Sequence, residues 1–288
     1  MFAVVINPIS GKGKGSILGA EVAGYLRTRN IDYTLVTSAS AALLSQNLET
    51  LIETTDVDGI IAVGGDGLLH LVLQIAAKAS LPFAVVPAGT GNDFARALGI
   101  HERSVSEILD HVLSTNPSAV DLGLVDSEYF GAILSSGFDS VVNERANKLS
   151  WPKGPSRYNA AMILELPKFS PISYEIQTEN RTFDVEALLI AIGNGISYGG
   201  GMKVCPDADI HDGLFDVMIL HPVSKVEFLR IFPSVYTGRH IHHPQVEIFR
   251  ARSISLHSKA VAYADGERIG QLPVKAECIQ GAALAWSL

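Results

Sequence analysis

The first 120 residues alternate short apolar runs with longer segments in which apolar positions recur at a helical spacing. The short runs predict buried strands, and the longer segments predict helices. The predicted strands are 2–6, 33–37, 59–63 and 83–86, and the predicted helices are 16–29, 41–53, 68–79 and 104–114. Ser104 and Glu107 have capping-box spacing, which indicates where the last helix begins. Such alternation is typical of a parallel sheet with helices on both faces.

Beyond residue 120, strand-like runs follow one another with fewer helices between them. The predicted strands are 129–134, 172–177, 182–192, 215–220, 246–249, 253–256 and 261–264, and the predicted helices are 139–148, 158–167 and 225–236. Alternating polar and apolar residues over 183–187 favour antiparallel strands with one solvated face. We therefore predict an α/β domain over 1–122 and a mainly antiparallel β domain over 123–279. The tail, 280–288, is expected to pack back on the first domain.

Composition narrows the class of protein. The chain has 288 residues, of which 47% are hydrophobic and 18% charged, as in an ordered globular protein. The formal net charge of -8 argues against a general nucleic-acid binder. No apolar run is long enough to span a bilayer. The first residues lack the features of a secretory signal. The two cysteines are isolated from each other in the sequence, which fits a reducing compartment. We therefore expect a cytoplasmic protein.

The loop that follows the first predicted strand is rich in glycine and lysine. It reads Asn7-Pro8-Ile9-Ser10-Gly11-Lys12-Gly13-Lys14-Gly15. Glycines let backbone N–H groups approach a phosphate, and the lysines can neutralise its charge. Neither the P-loop spacing nor the dinucleotide fingerprint is present, and the second predicted strand ends in Thr37-Ser38 instead of an acidic residue. A flexible surface turn would look similar, so this loop alone is a weak signal of phosphate binding.

Two more glycine-rich loops follow the third and fourth predicted strands. They are Gly64-Gly65-Asp66-Gly67 and Pro87-Ala88-Gly89-Thr90-Gly91-Asn92-Asp93. Each could be a tight turn in which the aspartate caps the next helix. Ligands of open α/β sheets bind beyond the carboxyl ends of the strands, where these three loops should meet. Glycine loops with two carboxylates supply the positioning and charge neutralisation that phosphoryl transfer needs.

With these loops in view, the chain resembles the diacylglycerol kinase catalytic family. It is most similar to the soluble bacterial lipid kinases of that family, which are relatives of sphingosine kinases and, more remotely, of NAD kinases. The resemblance runs nearly end to end. It also includes the segments 120–123, 193–195, 199–201, 212–217 and 265–267.

The resemblance implies a fold, a reaction and a set of site residues. The fold would be an NAD kinase-like α/β domain that binds nucleotide and a β-rich domain that binds lipid. ATP would lie between them against Asn7, Pro8, Ser10, Gly11, Thr37, Gly64, Gly65, Asp66, Gly67, Leu68, His70, Thr90 and Gly91. Glu267 would be the catalytic base, and Asp66 and Asp93 would organise Mg²⁺ and the transferring phosphate. A structural Mg²⁺ would sit at Asp209, Asp212 and the Leu214 carbonyl, supported by Asp121 and Asp216.

The resemblance further implies a lipid substrate, met through peripheral contact with a membrane surface, and it allows a homodimer. One departure stands out, because the family usually continues its glycine-Asp-glycine loop with Thr, Leu, Asn and Glu. This chain has Leu68, Leu69, His70 and Leu71 there. Two alternatives therefore stay open: a kinase for a soluble hydroxyl compound such as NAD, and a non-catalytic regulator that binds nucleotide or lipid.

Overall fold

The computed structural model describes residues 1–149, 151 and 155–288, and its strands form two sheets. The strands are β1 Phe2–Ile6, β2 Tyr33–Val36, β3 Gly59–Gly64, β4 Phe83–Pro87, β5 Ser118–Val125, β6 Glu128–Phe130, β7 Ile133–Gly137, β8 Ile172–Thr178, β9 Thr182–Ala187, β10 Leu189–Gly193, β11 Phe215–Leu220, β12 Val246–Ala251, β13 Ser253–His257, β14 Val261–Ala264, β15 Glu267–Gln271 and β16 Val274–Ala285.

The helices lie mainly in the first 115 residues. They are α1 Ser10–Thr28, α2 Ala41–Thr54, α3 Asp66–Ala79, α4 Asp93–Ala97, α5 Val105–Ser114, α6 Phe138–Lys148, α7 Pro155–Glu165 and α8 Lys225–Ile231, with 3-10 turns at Phe232–Thr237 and Arg239–His242. Ser104 and Glu107 form the predicted capping box of α5. Within the described part of the chain, no helix has the length and apolarity that a membrane crossing requires.

The first half is the predicted α/β domain. Its strands run parallel in the order β2-β1-β3-β4. The strand Gly59–Gly64 is buried at every position, as expected for a strand covered by helices on both faces. Parallel strands place their carboxyl ends at one edge, so the glycine-rich loops after β1, β3 and β4 emerge side by side.

The second half is the predicted antiparallel β region. One six-stranded sheet has the order β12-β11-β10-β7-β14-β15. Its inner face packs against β8, β13 and β16, which belong to the larger sheet, and Phe130 stacks on Phe215 with ring centroids 5.7 Å apart. This arrangement is a sandwich of two sheets.

The C-terminal strand β16 connects the two halves. It pairs antiparallel with β5 and β13, and its last residue, Ala285, pairs parallel with Phe83 of β4. Trp286 then packs into the core of the first half, 6.2 Å from the ring of Phe2. A ten-stranded sheet therefore runs through both halves, and the predicted boundary near residue 123 falls inside β5.

Two of the predicted strands are wrong because each is divided. The prediction 129–134 is β6 and β7, separated by Gly131 and Ala132, whose N–H groups donate to the Asp265 carboxylate instead of a strand partner. The prediction 182–192 is β9 and β10, which break at Leu188 and belong to different sheets. The pattern of apolar residues shows neither a backbone that hydrogen-bonds to a distant side chain nor the point at which the chain passes from one sheet to the other.

The predicted helix 225–236 is also too long. The α-helix ends at Ile231, and the chain continues as the 3-10 turn Phe232–Thr237. Pro233 explains this change, since a proline lacks the N–H that an α-helix would need at that position.

Candidate active site

The three glycine-rich loops meet at the carboxyl edge of the parallel strands. A Cβ on Gly11 would lie 2.0 Å from the carbonyl oxygen of Ala88, and a Cβ on Gly89 would lie 2.6 Å from the Cα of Gly65. Real side chains do not tolerate such distances, so these backbones can approach only because they carry no side chain. Gly11, Lys12 and Gly13 all have positive φ, which delays the regular part of α1 to Lys14.

Asp66 ties the second loop to the third. One carboxylate oxygen accepts the N–H of Asn92 and the other accepts the N–H of Asp93, each at 2.8 Å. Asp66 therefore holds the first turn of α4, which has no side-chain cap of its own. The turn-forming role and the phosphate-site role proposed for this aspartate are compatible, because Asp66 also lines the cleft.

Asp93 ties the first half of the molecule to the second. Its carboxylate accepts the N–H groups of Gly200 and Gly201, each at 3.1 Å, and the hydroxyl of Ser197 at 3.3 Å. Arg96 lies beside it, with Nε 3.9 Å from Asp93 Oδ1. The glycine-rich segment 199–201, which the resemblance matched to the family, thus joins the loops of the parallel sheet.

Both carboxylates have raised pKa values. Burial raises the pKa of Asp66, and the nearby charge of Asp93 raises it further against two backbone hydrogen bonds that lower it. Burial also raises the pKa of Asp93, again opposed by hydrogen bonds and by Arg96. A cation bound between these groups would relieve the repulsion, which makes the pair suited to Mg²⁺, an ion that prefers carboxylate oxygens.

A cleft of about 740 Å³ lies between the two halves. Its described lining includes several predicted site residues, namely Gly11, Asp66, His70, Thr90, Gly91 and Asp93. Lys12 and Asp265 line it as well. The predicted residues therefore form most of the polar wall on the side of the parallel sheet.

The remaining predicted nucleotide residues are not in the lining of the cleft, and several of them shape the loops around it. Asn7 accepts the N–H of Ser10 through its carbonyl, at 3.2 Å, and shapes the first turn. Pro8 accepts the N–H and hydroxyl of Ser16, and the hydroxyl of Ser10 lies 3.3 Å from the Cβ position of Gly65. Leu68 is buried, with its side chain packed against Gly64. Thr37 is exposed just beyond the carboxyl end of β2.

Glu267 begins β15 and comes from the second half of the molecule. It is exposed, and its Oε1 lies 3.6 Å from the Cβ position of Gly67, in the first turn of α3. Asp265, two residues earlier, belongs to the matched segment 265–267 but was given no role of its own from the sequence. Its carboxylate accepts the N–H groups of Gly131, Ala132 and Ile133 at 2.7, 2.9 and 3.2 Å. This anchor fixes the turn that presents Glu267.

A second cluster that the sequence analysis missed surrounds Asp139 at the far side of the cleft. This buried carboxylate accepts hydrogen bonds from the hydroxyls of Ser135 and Tyr158, each at 2.6 Å, and from Tyr198. Burial raises the pKa of Asp139 despite these bonds. The only available signal was the aspartate at the start of a predicted helix, which capping would explain.

Asp139, Tyr158 and Tyr198 also line a second cavity, which is apolar. It has a volume of about 40 Å³, and its other walls include Met162, Phe228 and Phe232. The volume is close to that of one water molecule, so a larger guest would have to displace part of the wall. Polar groups at one end and aromatic side chains at the other give this region an amphiphilic character.

The loop with the predicted structural Mg²⁺ site is held by an arginine. Nη1 of Arg250 lies 3.1 Å from Asp212 Oδ2, and its Nε lies 2.9 Å from Asp216 Oδ1. Asp209 accepts the N–H of His211 at 3.0 Å, and Asp121 accepts the N–H of Gly213 at 2.7 Å. Among residues 1–149, 151 and 155–288, no three His, Cys, Asp or Glu side chains converge as a metal cluster. The site, which would use two carboxylates and a carbonyl, stays a prediction.

Comparison with known proteins gives the same picture in both halves. Residues 1–125 match the model of the diacylglycerol kinase catalytic domain. Residues 132–285 match that of the YegS C-terminal NAD kinase beta sandwich-like domain. A diacylglycerol kinase of Mycobacterium tuberculosis is 32% identical over 283 residues, covering 96% of this chain and 91% of that protein. A diacylglycerol kinase of Bacillus subtilis is 32% identical over 223 residues, covering 76% of this chain and 74% of that protein.

Solved structures share the fold from end to end. A crystal structure from Bacillus anthracis superposes with a TM-score of 0.82 at 19% identity and covers 100% of this chain and 95% of its own. Another crystal structure from the same organism, described as a diacylglycerol kinase, gives a TM-score of 0.75 at 18% identity. The match covers 100% of this chain and 96% of that one. At these identities the likeness concerns the fold alone.

Proposed function

Because this chain belongs to the diacylglycerol kinase catalytic family, we propose that it transfers the γ-phosphoryl group of ATP to the hydroxyl of a diacylglycerol-like lipid. The observation that carries the proposal is the position of the cleft. It lies between phosphate-binding loops on one side and an amphiphilic wall on the other. We further propose that the protein works in the cytoplasm, in transient contact with a membrane surface.

The charges in the cleft support a metal-bound nucleotide. Four carboxylates lie in its described lining, namely Asp66, Asp93, Asp139 and Asp265, against the cations Lys12 and, when protonated, His70. A bare triphosphate would be repelled by such an excess of negative charge, whereas a triphosphate that carries Mg²⁺ would not. Asp66 and Asp93 would hold the ion, which would neutralise charge on the transferred phosphoryl group.

The loops would position the triphosphate. Gly11, Lys12, Thr90 and Gly91 line the cleft at the carboxyl edge of the sheet, so their backbone N–H groups would face the phosphates, and Lys12 adds a positive charge. Glu267 would take the proton of the acceptor hydroxyl as its oxygen attacks the γ-phosphorus. The bond between that phosphorus and the bridging oxygen breaks, and ADP leaves with the electron pair.

The wall opposite the loops supports a lipid acceptor. Asp139 and its tyrosines can bind the polar part of a glycerolipid, since hydroxyls and a carboxylate accept and donate hydrogen bonds there. Behind them lies the apolar cavity, which an acyl chain would enlarge by moving Phe228 and Phe232. A soluble acceptor such as NAD would gain nothing from this apolar lining.

The outer surface over that cavity supports membrane contact. Large apolar side chains are exposed on α7, on α8 and on the turn that follows, namely Ile163, Leu164, Val226, Leu229 and Tyr236. The two helices border the same apolar cavity, through Met162 of α7 and Phe228 of α8. Exposed Lys168, Arg230 and Arg239 border the patch, and such cations favour an anionic bilayer.

The proposal is tested with three acceptors: diacylglycerol in phosphatidylglycerol vesicles, a short-chain diacylglycerol that dissolves as monomers, and NAD. Phosphorylation of both lipids and not of NAD is the expected result. Phosphorylation of NAD alone would establish a soluble acceptor. ATP binding without transfer to any acceptor would establish a regulator, and either result overturns the proposal.

The membrane patch is tested on the same assay with the double variant Val226→Asp, Leu229→Asp. Burial of two such side chains in a bilayer is worth several kcal/mol, so vesicle activity should fall about tenfold or more. Activity on the monomeric lipid should stay within about twofold, since neither residue lines the cleft. Leu43→Asp, an exposed leucine of α2, is the matched control and should leave both activities unchanged.

A further inference from the structure

One face of α3 contacts the second half of the molecule at three successive positions. Gly67 lies under the carboxylate of Glu267. Gln74 binds the backbone of Tyr129 in β6 twice, donating to its carbonyl at 2.7 Å and accepting its N–H at 2.9 Å. His70 lies between them, and the spacing 67, 70, 74 places all three on one side of a helix.

His70 has carboxylates on two sides, both from the second half. Its Nε2 lies 3.7 Å from Glu128 Oε2, and its Nδ1 lies 4.0 Å from Asp265 Oδ2. These distances are too long for direct hydrogen bonds but short enough for strong attraction of an imidazolium. Nδ1 is buried and has no hydrogen-bond partner among the described residues, and the Asp265 carboxylate lies 4.0 Å from it.

The charge state of the imidazole suits an ion pair. Burial, the largest single influence, lowers the pKa of His70. The carboxylates of Asp265, Glu128 and Glu267 raise it and together outweigh burial, so the pKa of His70 lies above its usual value. These are the acidic groups that face the ring from the β14–β15 turn, from β6 and from β15.

We propose that His70 is a positioning residue that holds the Asp265–Glu267 turn against α3, so that the Glu267 carboxylate stands over the phosphate loops. The inference rests on the proposed kinase function. It also gives a role to the histidine that replaces the expected asparagine. Because Asp265 is fixed by three backbone N–H groups, a pull on its carboxylate orients the whole turn.

The first test is steady-state kinetics of His70→Leu, which removes the charge but keeps an apolar side chain. Misplacement of a catalytic group by about 1 Å costs up to about 100-fold in rate, so kcat should fall between about 10- and 100-fold. KM for ATP should rise by a smaller factor than kcat falls, because the loops on β1 and β4 are untouched although His70 also lines the cleft. His70→Gln, which keeps an N–H donor, should restore part of kcat.

His101→Leu is the matched control. Nε2 of His101 also lies near a carboxylate, 3.3 Å from Glu102, and its Nδ1 is likewise buried and without a hydrogen-bond partner in the described structure. It lies beside α1 and the start of α5 and is not in the lining of the cleft, so kcat should not change. Equal kinetics for His70→Leu and wild type would overturn the proposal.

The second test does not depend on any acceptor. Amide hydrogen exchange is measured at Gly131, Ala132 and Ile133, whose N–H groups bind Asp265. Exchange at these three should accelerate in His70→Leu and stay at the wild-type rate in His101→Leu. Unchanged exchange would contradict the positioning role, even if the wild type phosphorylated no lipid. A failure of the kinase proposal and a failure of this one are therefore distinguishable.

Discussion

The backbone N–H of Asp93 donates to the carboxylate of Asp66 at 2.8 Å, so the two acids of the site belong to one hydrogen-bonded unit. Asp66 orients the loop that carries Asp93, and Asp93 in turn accepts N–H groups of Gly200 and Gly201 from the second half. The glycine-rich loops of the first half are therefore linked to the second half through carboxylates. This linkage explains why two glycine loops that are far apart in sequence act at one place.

Asp66→Asn should remove most of the phosphoryl transfer. Asparagine can accept only one of the two N–H groups and carries no charge for a metal ion, so kcat should fall about 100- to 1000-fold. Circular dichroism should show a folded protein, since the α/β core does not depend on this side chain. Transfer above a tenth of the wild-type rate would contradict the role given to Asp66.

Gly91→Ala should also inactivate the protein. The added Cβ would lie 2.3 Å from Asp66 Oδ2 and 3.3 Å from Asp93 Oδ2, so the carboxylate pair must shift. Gly24→Ala in α1 is the control, because a Cβ there meets no atom within 4 Å. That control should keep full activity and gain about 0.5–1 kcal/mol in stability, since alanine favours a helix interior. Activity of Gly91→Ala equal to that of the control would refute the packing argument.

The buried Asp139 predicts a specific pH dependence of stability. Its pKa is higher in the folded protein than its ordinary value of 3.8, chiefly through burial. The folded state therefore binds this proton more tightly, and the stability it contributes is lost as pH rises through the folded pKa. Asp139→Asn removes that loss, so the free energy of unfolding of the variant, relative to wild type, should rise between acidic and neutral pH.

Urea unfolding at several pH values measures this difference. The exposed Asp126→Asn serves as the control and should follow the wild type at every pH. If the difference in free energy of unfolding between Asp139→Asn and wild type does not change with pH, burial does not raise the pKa of Asp139.

Arg250→Met should destabilise the fold by about 1–3 kcal/mol, because it leaves the buried Asp216 carboxylate without its partner. It also frees Asp212, one of the predicted Mg²⁺ ligands. If Mg²⁺ binds at Asp209, Asp212 and the Leu214 carbonyl, excess Mg²⁺ should recover part of the lost stability relative to EDTA. Equal unfolding curves in Mg²⁺ and EDTA would argue against a metal at this loop.

The sequence predicted the parallel half of the fold well, since strands such as Phe2–Ile6 are buried on both faces and stand out as apolar runs. The prediction was wrong where contacts between residues distant in sequence determine where a strand begins or ends. β6 and β7 separate because Asp265 binds the backbone between them. The strands Ser118–Val125 and Val274–Ala285 were not recognised, although their pairing connects the two halves.

The same limit applies to the site. Asp66 and Asp93 were predicted because glycines flank them or precede them at strand ends, a local signal. Asp139 and Asp265 also follow strands, and a glycine adjoins Asp265, but their roles depend on Tyr158 and on residues 131–133, which are distant in sequence. Clusters assembled from the β half therefore required the structure.

The most direct test of the central claim is transfer of label from γ-labelled ATP, with Mg²⁺, to a total lipid extract by the wild type and by Glu267→Gln. We predict a labelled lipid with the wild type, and a rate lower by about 100-fold or more with Glu267→Gln, since the base that takes the hydroxyl proton is then absent. Absence of labelled lipid with the wild type, while ATP still binds, would contradict the account.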